Sequence, residues 1–117
     1  MAIMLRWDTP RPRLEAAFGS DGINVIRPLR HKDDPSWGQV VVSSKESFPD
    51  AVSDVELFLR KYSDVICSET VEGNGPALDI PVTSKHNIMV RNYLLPCELL
   101  GLLHRAQIAL CVSRYDP

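Results

Sequence analysis

The sequence contains only three cysteines, few aromatic residues and no long apolar run. The cysteine pattern argues against a disulfide-linked protein, and the short apolar runs argue against a membrane protein. Its three cysteines include no Cys-x-x-Cys pair, which argues against an even disulfide framework, so we expect free, buried thiols in a reducing cytoplasm. No segment approaches the roughly 18 apolar residues of a membrane span. Charges at Arg6 and Asp8 interrupt the apolar start, so a signal-peptide core is not indicated. We predict a cytoplasmic protein that does not bind membranes.

The chain also lacks an excess of positive charge. Its net charge is −2, and no basic stripe with interleaved aromatic residues is present, so we predict no nucleic-acid partner. Residues 45–75 carry seven acids against three bases, a local charge of −4. Such a segment is either a solvated helix face or a patch for a basic protein partner, and both interpretations stay open.

Catalytic and metal-binding patterns are absent as well. The three histidines, His31, His86 and His104, are far apart in the sequence, whereas a zinc site needs three or four converging ligands. Asp33 and Asp34 are adjacent on a polar loop before a proline, which is typical of a turn. No Gly-x-Ser-x-Gly elbow occurs. We therefore predict no cofactor, no metal and no enzymatic activity.

The most informative segment is the C-terminal one. Pro96 suits the first position of a helix, and apolar residues recur at helical spacing over 99–106. From Gln107 the apolar period changes to two, with Ile108, Leu110 and Val112 on one side. This change predicts a buried helix followed directly by a strand.

Periodicity along the rest of the chain predicts a single α+β domain over residues 1–117. The expected sheet is mixed or antiparallel, with two to three helices packed on one face. The run Val40 to Val42 suggests a central strand buried on both faces, and Pro81 suggests an edge strand. The predicted elements are strand 2–7, helix 12–18, strands 23–29 and 37–44, helix 50–61, strands 65–70 and 78–82, a helix from Pro96 and a strand from Gln107. A turn is predicted at 72–76 and an apolar segment at 88–90.

The C-terminal pattern resembles a known family. Residues 93–110 read Tyr-Leu-Leu-Pro-Cys-Glu-Leu-Leu-Gly-Leu-Leu-His-Arg-Ala-Gln-Ile-Ala-Leu, and Tyr115 follows. A Leu-Pro-x-Glu-Leu-Leu helix leading into an alternating strand that closes with Tyr is similar to small bacterial proteins that include immunity proteins of polymorphic toxin systems. The resemblance covers 47–117. It implies a cytoplasmic protein that binds and blocks a toxin domain, often a basic nuclease, without catalysis of its own.

We accordingly predict a protein-binding module, and an exposed Trp is a frequent interface anchor. Trp7 is expected in the core, whereas Trp37 suits the core and an interface equally well. The predicted interface consists of Asp33, Asp34, Trp37, Asp54, Glu56 and Glu69.

Two other readings remain open from the sequence. One is a small ligand-binding domain or enzyme whose site is dispersed in sequence, with His31 or His86 as a perturbed titrating group. The other is a homodimer in which the 78–82 strand pairs with its symmetry mate. The chain is thus expected to be a monomer or a homodimer.

Overall fold

A computed structural model describes residues 2–71, 75–83 and 94–115 as four strands, three α-helices and one 3₁₀ turn. The elements are β1 (Ile3–Trp7), α1 (Pro12–Ser20), the 3₁₀ turn (Leu29–His31), β2 (Gly38–Ser43), α2 (Phe48–Ser68), β3 (Ala77–Thr83), α3 (Cys97–Ala106) and β4 (Ala109–Tyr115). The expected α+β class is confirmed.

The strands form one mixed sheet in the order β2-β1-β3-β4. The N-terminal strand β1 lies inside the sheet and runs antiparallel to both of its neighbours. The last two strands are parallel to each other, so α3 belongs to the crossover that connects them. The sheet is therefore of the mixed kind that the sequence allowed.

The core lies between the helices and one face of the sheet. Alternation along β1 turns Ile3, Leu5 and Trp7 to this face, and all three are buried. Leu5 is paired with Val40 on one side and with Leu78 on the other. Trp7 is 4% exposed, which confirms its predicted place in the core. The helices contribute a continuous apolar layer: Leu14, Phe18, Val52, Val55, Leu59, Tyr62, Ile66, Leu99 and Leu103.

The predicted C-terminal helix and the strand directly after it are confirmed, but Pro96 precedes the helix instead of occupying its first position. Pro96 is the N-cap of α3, and the helix ends at Gln107, whose φ of 58° is left-handed. The N–H of Gln107 donates a hydrogen bond to the carbonyl of His104. A left-handed residue at this position commonly ends a helix, although Gly is preferred there. The chain can then reverse within two residues and begin β4.

The prediction of a strand at 65–70 is wrong, because α2 continues to Ser68. The β-branched pair Val65 and Ile66 favoured a strand. In the fold, Leu59, Tyr62 and Ile66 are buried at helical spacing, and this packing outweighs the small difference in intrinsic propensity. The long helix is thus about twice as long as predicted.

The predicted strand at 23–29 is also absent. The segment makes a single bridge, between Ile26 and Gln39. Pro28 has no backbone N–H and fixes its own φ, and the 3₁₀ turn begins at the next residue. The expected hairpin between 23–29 and 37–44 is therefore reduced to two backbone hydrogen bonds.

Two strands exchange their expected positions. The Val-rich strand β2 is at the edge of the sheet, with Val41 exposed, while β3 is in the interior. Pro81 is tolerated there because β1 pairs with β3 only as far as Asp79. Its missing N–H therefore costs no hydrogen bond to β1. The 78–82 strand is therefore not a free edge along its whole length: β4 covers one side of it, and β1 covers the other side as far as Asp79.

The cysteines are free, as expected, but they are not the buried thiols that the sequence suggested. Cys97 and Cys111 are exposed and Cys67 is half-buried. The predicted apolar segment 88–90 and most of the predicted turn 72–76 lie outside the described residues. Among the residues described, no helix combines the length and the apolar character that crossing a bilayer requires.

Candidate binding cleft

Both tryptophans of the chain line one cleft at an end of the sheet. Here β1 ends and β2 and β3 begin, because Trp7 pairs with Gly38 and Arg6 pairs with Ala77. The cleft has a volume of about 330 Å³. Its walls are formed by Arg6, Trp7, Asp8, Pro28, Trp37, Gly38, Gln39, Gly75 and Ala77. It therefore combines two indoles and a proline ring with a few polar side chains.

The position of Trp7 depends on a glycine in the neighbouring strand. A Cβ on Gly38 would overlap the Trp7 ring and would stand 2.7 Å from the indole nitrogen. On its other side, Trp7 packs against Phe18, with ring centroids 6.1 Å apart. The indole N–H is buried without a hydrogen-bond partner among the described residues. A buried unpaired donor costs about 1–3 kcal/mol, and no described residue satisfies this one.

Trp37 reaches the cleft from a loop that Asp34 organises. The Asp34 carboxylate accepts a hydrogen bond from the Ser36 N–H at 2.9 Å, and its carbonyl accepts one from the Trp37 N–H at 3.2 Å. Arg27 donates to the same carbonyl at 3.2 Å and also binds the Glu15 carboxylate at 2.5 Å. Asp34 therefore forms the turn that the sequence suggested. Trp37, 37% exposed, is held at the surface.

Arg6, a charged residue of the cleft wall, is paired with a buried carboxylate beside the cleft. The Arg6 guanidinium lies 3.1 Å from the Asp79 carboxylate, which is buried and also accepts a hydrogen bond from the Ser113 hydroxyl at 2.6 Å. Asp8, also in the cleft wall, is exposed. Next to the cleft, the Leu29 side chain is 90% exposed. The surface is thus largely apolar, with charges that offset one another.

Comparisons with known proteins identify no relative. Searches against protein-family models, curated proteins and solved structures gave no match. The resemblance of residues 47–117 to immunity proteins therefore stays a prediction. The chemistry of the cleft has to be judged from its own side chains.

The six predicted interface residues do not come together on one surface. Asp33, Asp34 and Trp37 share the loop beside the cleft. Asp54 accepts a hydrogen bond from the Ser43 hydroxyl at 2.8 Å, at the opposite end of β2. Glu56 lies 3.6 Å from Arg60 on the same helix.

Glu69 acts within the fold. Its carboxylate accepts hydrogen bonds from the backbone N–H groups of Arg13, at 3.2 Å, and Leu14, at 2.6 Å. These donors belong to the first turn of α1, whose N-cap, Arg11, makes no side-chain capping bond. Since the rise is about 1.5 Å per residue, Asp54 and Glu69 are about 20 Å apart along α2. The acidic residues of α2 are therefore spread along the molecule and not gathered in one patch.

A buried arginine is the structural feature that sequence reasoning missed. The Arg11 side chain donates to the Ile66 carbonyl at 3.4 Å and to the Thr70 hydroxyl at 3.3 Å, and so satisfies the C-terminal end of α2. Burial lowers the pKa of Arg11, while the carboxylates of Glu69 and Asp8 oppose that change. In the sequence, Arg11 stands between two prolines, and nothing in that pattern indicates that its side chain is buried.

The perturbed titrating groups lie away from the cleft. Desolvation, followed by a hydrogen bond to Asp21, raises the pKa of Tyr62 to about 12. The same hydrogen bond and the nearby Lys61 ammonium lower the pKa of Asp21. His86 and the side chain of His31 lie outside the described part of the chain. Within the described ranges, no three His, Cys, Asp or Glu side chains are grouped so that they could hold a metal ion.

Proposed function

We propose that this chain is a non-catalytic, cytoplasmic protein-binding module that binds its partner through the two-tryptophan cleft. The observation that carries the proposal is the pairing of a buried Trp7 with a surface Trp37 on the walls of one cleft. Tryptophans dominate binding energy at protein interfaces when they are surrounded by well-packed neighbours. Leu29 follows Pro28 of the cleft wall in the chain, and its side chain is 90% exposed, so it is a second candidate contact.

The finer proposal is that the partner is a bacterial toxin domain, which the chain neutralises as an immunity protein. The C-terminal resemblance supports this identity. The neutral character of the cleft favours a partner that is recognised mainly by apolar contact. We then expect salt to change the affinity only slightly, because charges at the rim of an interface chiefly affect the rate of association and contribute less to the affinity.

The test is to express the tagged full chain in its native cells, capture its partner, and measure the affinity with variants. Trp37→Ala and Leu29→Ala should each weaken binding at least about tenfold, as expected for interface anchors. Asp54→Asn combined with Glu56→Gln is the matched control on α2, and it should bind like the unmodified chain. If only that control variant lost binding, the interface would lie on α2, and the proposal that the partner binds at the cleft would be refuted.

Co-expression tests the toxin-neutralising role. If the captured partner arrests growth, the unmodified chain should restore it and Trp37→Ala should not. A partner with no toxic activity would refute the immunity role and leave protein binding intact.

A small-molecule ligand is a second candidate, favoured by the volume of the cleft. A volume of about 330 Å³ falls at the lower end of the range for ligand sites. Because the chain has two tryptophans and both line the cleft, an occupant should change the intrinsic fluorescence. A metabolite that shifts both the emission and the melting temperature, but not in Trp37→Ala, would favour this candidate.

A further inference from the structure

The outer edge of β4 is an apolar strand edge that no described strand covers. Among the described strands, β4 is the last of the sheet and pairs with β3 alone. Residues 109–112 are all exposed, and the exposed fractions reach 37% for Leu110 and 57% for Val112. At the other edge, Ile26 already bridges part of β2. β4 is therefore the more available edge of the sheet.

Over residues 109–113 this edge has none of the usual protection against pairing, and the one charged residue of β4, Arg114, lies beyond them. Natural edge strands are shortened, bulged, or marked with charges or proline. β4 has seven residues, and residues 109–113 include neither a charge nor a proline. Its register with β3 runs without a shift from Ala109 to Tyr115. The strand is thus a regular template for a further strand.

The direction of the backbone groups is fixed by one hydrogen bond. The Ala109 N–H donates to the Pro76 carbonyl at 2.9 Å, so the backbone groups of Ala109 face β3. Successive residues of a strand turn their N–H and C=O groups to alternate sides. Leu110 and Val112 consequently direct theirs to the outer edge.

We propose that a second copy of the chain pairs with this edge, antiparallel to β4, about a two-fold axis at Cys111. In this register Leu110 faces Val112 of the second copy. These are the residues whose backbone groups point outward, so each pair exchanges both hydrogen bonds. Their side chains lie on the same face as Leu78 and Ile80, their partners in β3, and apolar contacts form between the copies.

A second copy fits this edge because the register is self-complementary. A two-fold interface uses the same patch on both subunits, and here each outward N–H meets an outward C=O. The absence of charge over 109–113 means that no like charges are brought together. One strand pair buries less than the usual area of about 800 Å² per partner. The dimer should therefore dissociate on dilution.

Cys111 allows a direct test of the register. It occupies the central, non-hydrogen-bonded pair, in which the two Cα atoms lie about 4.5 Å apart, a separation that a disulfide can bridge. In a Cys67→Ser, Cys97→Ser background, mild oxidation should link two chains through Cys111. The matched control adds Cys111→Ser and Ala109→Cys. Its two thiol-bearing Cα atoms should be about 13 Å apart at the strand rise per residue, and we expect linking to be at least about tenfold slower.

Analytical ultracentrifugation over a wide concentration range gives the second measurement. The unmodified chain should pass from monomer to dimer. Val112→Pro removes an outward N–H without removing a bond to β3, a position where edge strands accept proline, and should stay monomeric. Leu110→Lys provides an independent block of the same edge. Trp37→Ala should dimerise normally. A chain that is monomeric throughout, or equal linking through positions 109 and 111, would overturn the proposal.

Discussion

The phenol of Tyr62 donates a hydrogen bond to the carboxylate of Asp21, with the two oxygens 2.5 Å apart. This bond joins α2 to the C-terminal end of α1. The ring lies edge-on to Phe18, with centroids 4.9 Å apart. The polar tip of an otherwise buried residue thus links the end of the first helix to the long one.

The first prediction is a loss of stability at alkaline pH. The folded pKa of Tyr62 is raised to about 12, whereas an unfolded tyrosine ionises near a pKa of about 10. The stabilisation is fully present below pH 10 and is lost as the pH rises towards 12, because the unfolded chain releases its proton first. Urea unfolding of the unmodified chain and of Tyr62→Phe should show a smaller alkaline loss in the variant. Parallel losses in the two proteins would contradict the assignment to Tyr62.

The second prediction concerns the capping of α1 by Glu69. Glu69→Ala leaves the N–H groups of Arg13 and Leu14 without this acceptor, and the free energy of unfolding should fall by about 2 kcal/mol, as for hydrogen bonds to a charged group. Glu69→Gln keeps an acceptor and should lose less. Asp64→Ala, an exposed acid on the same helix, is the control and should change stability by under about 0.5 kcal/mol. Urea denaturation midpoints measure all three.

The third prediction tests the support of the cleft. Gly38→Ala places a methyl group where the Trp7 ring lies, and such overpacking costs about 1–3 kcal/mol. The variant should also alter the tryptophan emission. Gly101→Ala is the matched control: a Cβ there meets no atom within 4 Å, and the substitution should stabilise α3 by about 0.5–1 kcal/mol. Equal effects on thermal unfolding would show that the indole does not depend on Gly38.

The fourth prediction concerns the turn between α3 and β4. Gln107 has a φ of 58°, a conformation that is strained for a residue with a Cβ. Gln107→Gly should stabilise the chain by about 0.5 kcal/mol after the entropy of the more flexible unfolded chain is included. Gly22→Ala, at a φ of 74°, should do the reverse. Calorimetry should show melting temperatures that move in opposite directions.

The sequence predicted elements well where the local signal was strong, and it predicted poorly the elements and strand neighbours that depend on packing. Pro96 and the change of period at Gln107 are local signals, and the structure follows them closely. The extension of α2 through Val65 and Ile66 depends on burial against other elements, which no local pattern shows. Pro81 suggested an edge strand, but β3 is in the interior of the sheet. The proline is accommodated because β1 stops pairing with β3 before it, and sequence alone does not show where that pairing ends.

The cleft was only partly visible in the sequence, for a similar reason. Trp37 was among the predicted interface residues, and its surroundings of Pro35, Ser36 and Gly38 supplied the signal. Trp7 was expected in the core, and it is buried there. That the two residues line one cleft follows from the pairing of Trp7 with Gly38, which joins segments about thirty positions apart in the sequence. The predicted acids Asp54 and Glu69 lie far apart because α2 is one long helix, and the length of that helix depends on packing that the sequence alone does not show.

The interior position of β1 has a consequence for how the protein is made. Met4 is synthesised 75 positions before its partner Asp79 in β3. Until β3 emerges from the ribosome, one side of β1 has no partner strand, and long-range pairing of this kind slows folding. Nascent chains that stall within α2 would present an open strand edge, a feature that makes folding intermediates prone to aggregate and dependent on chaperones.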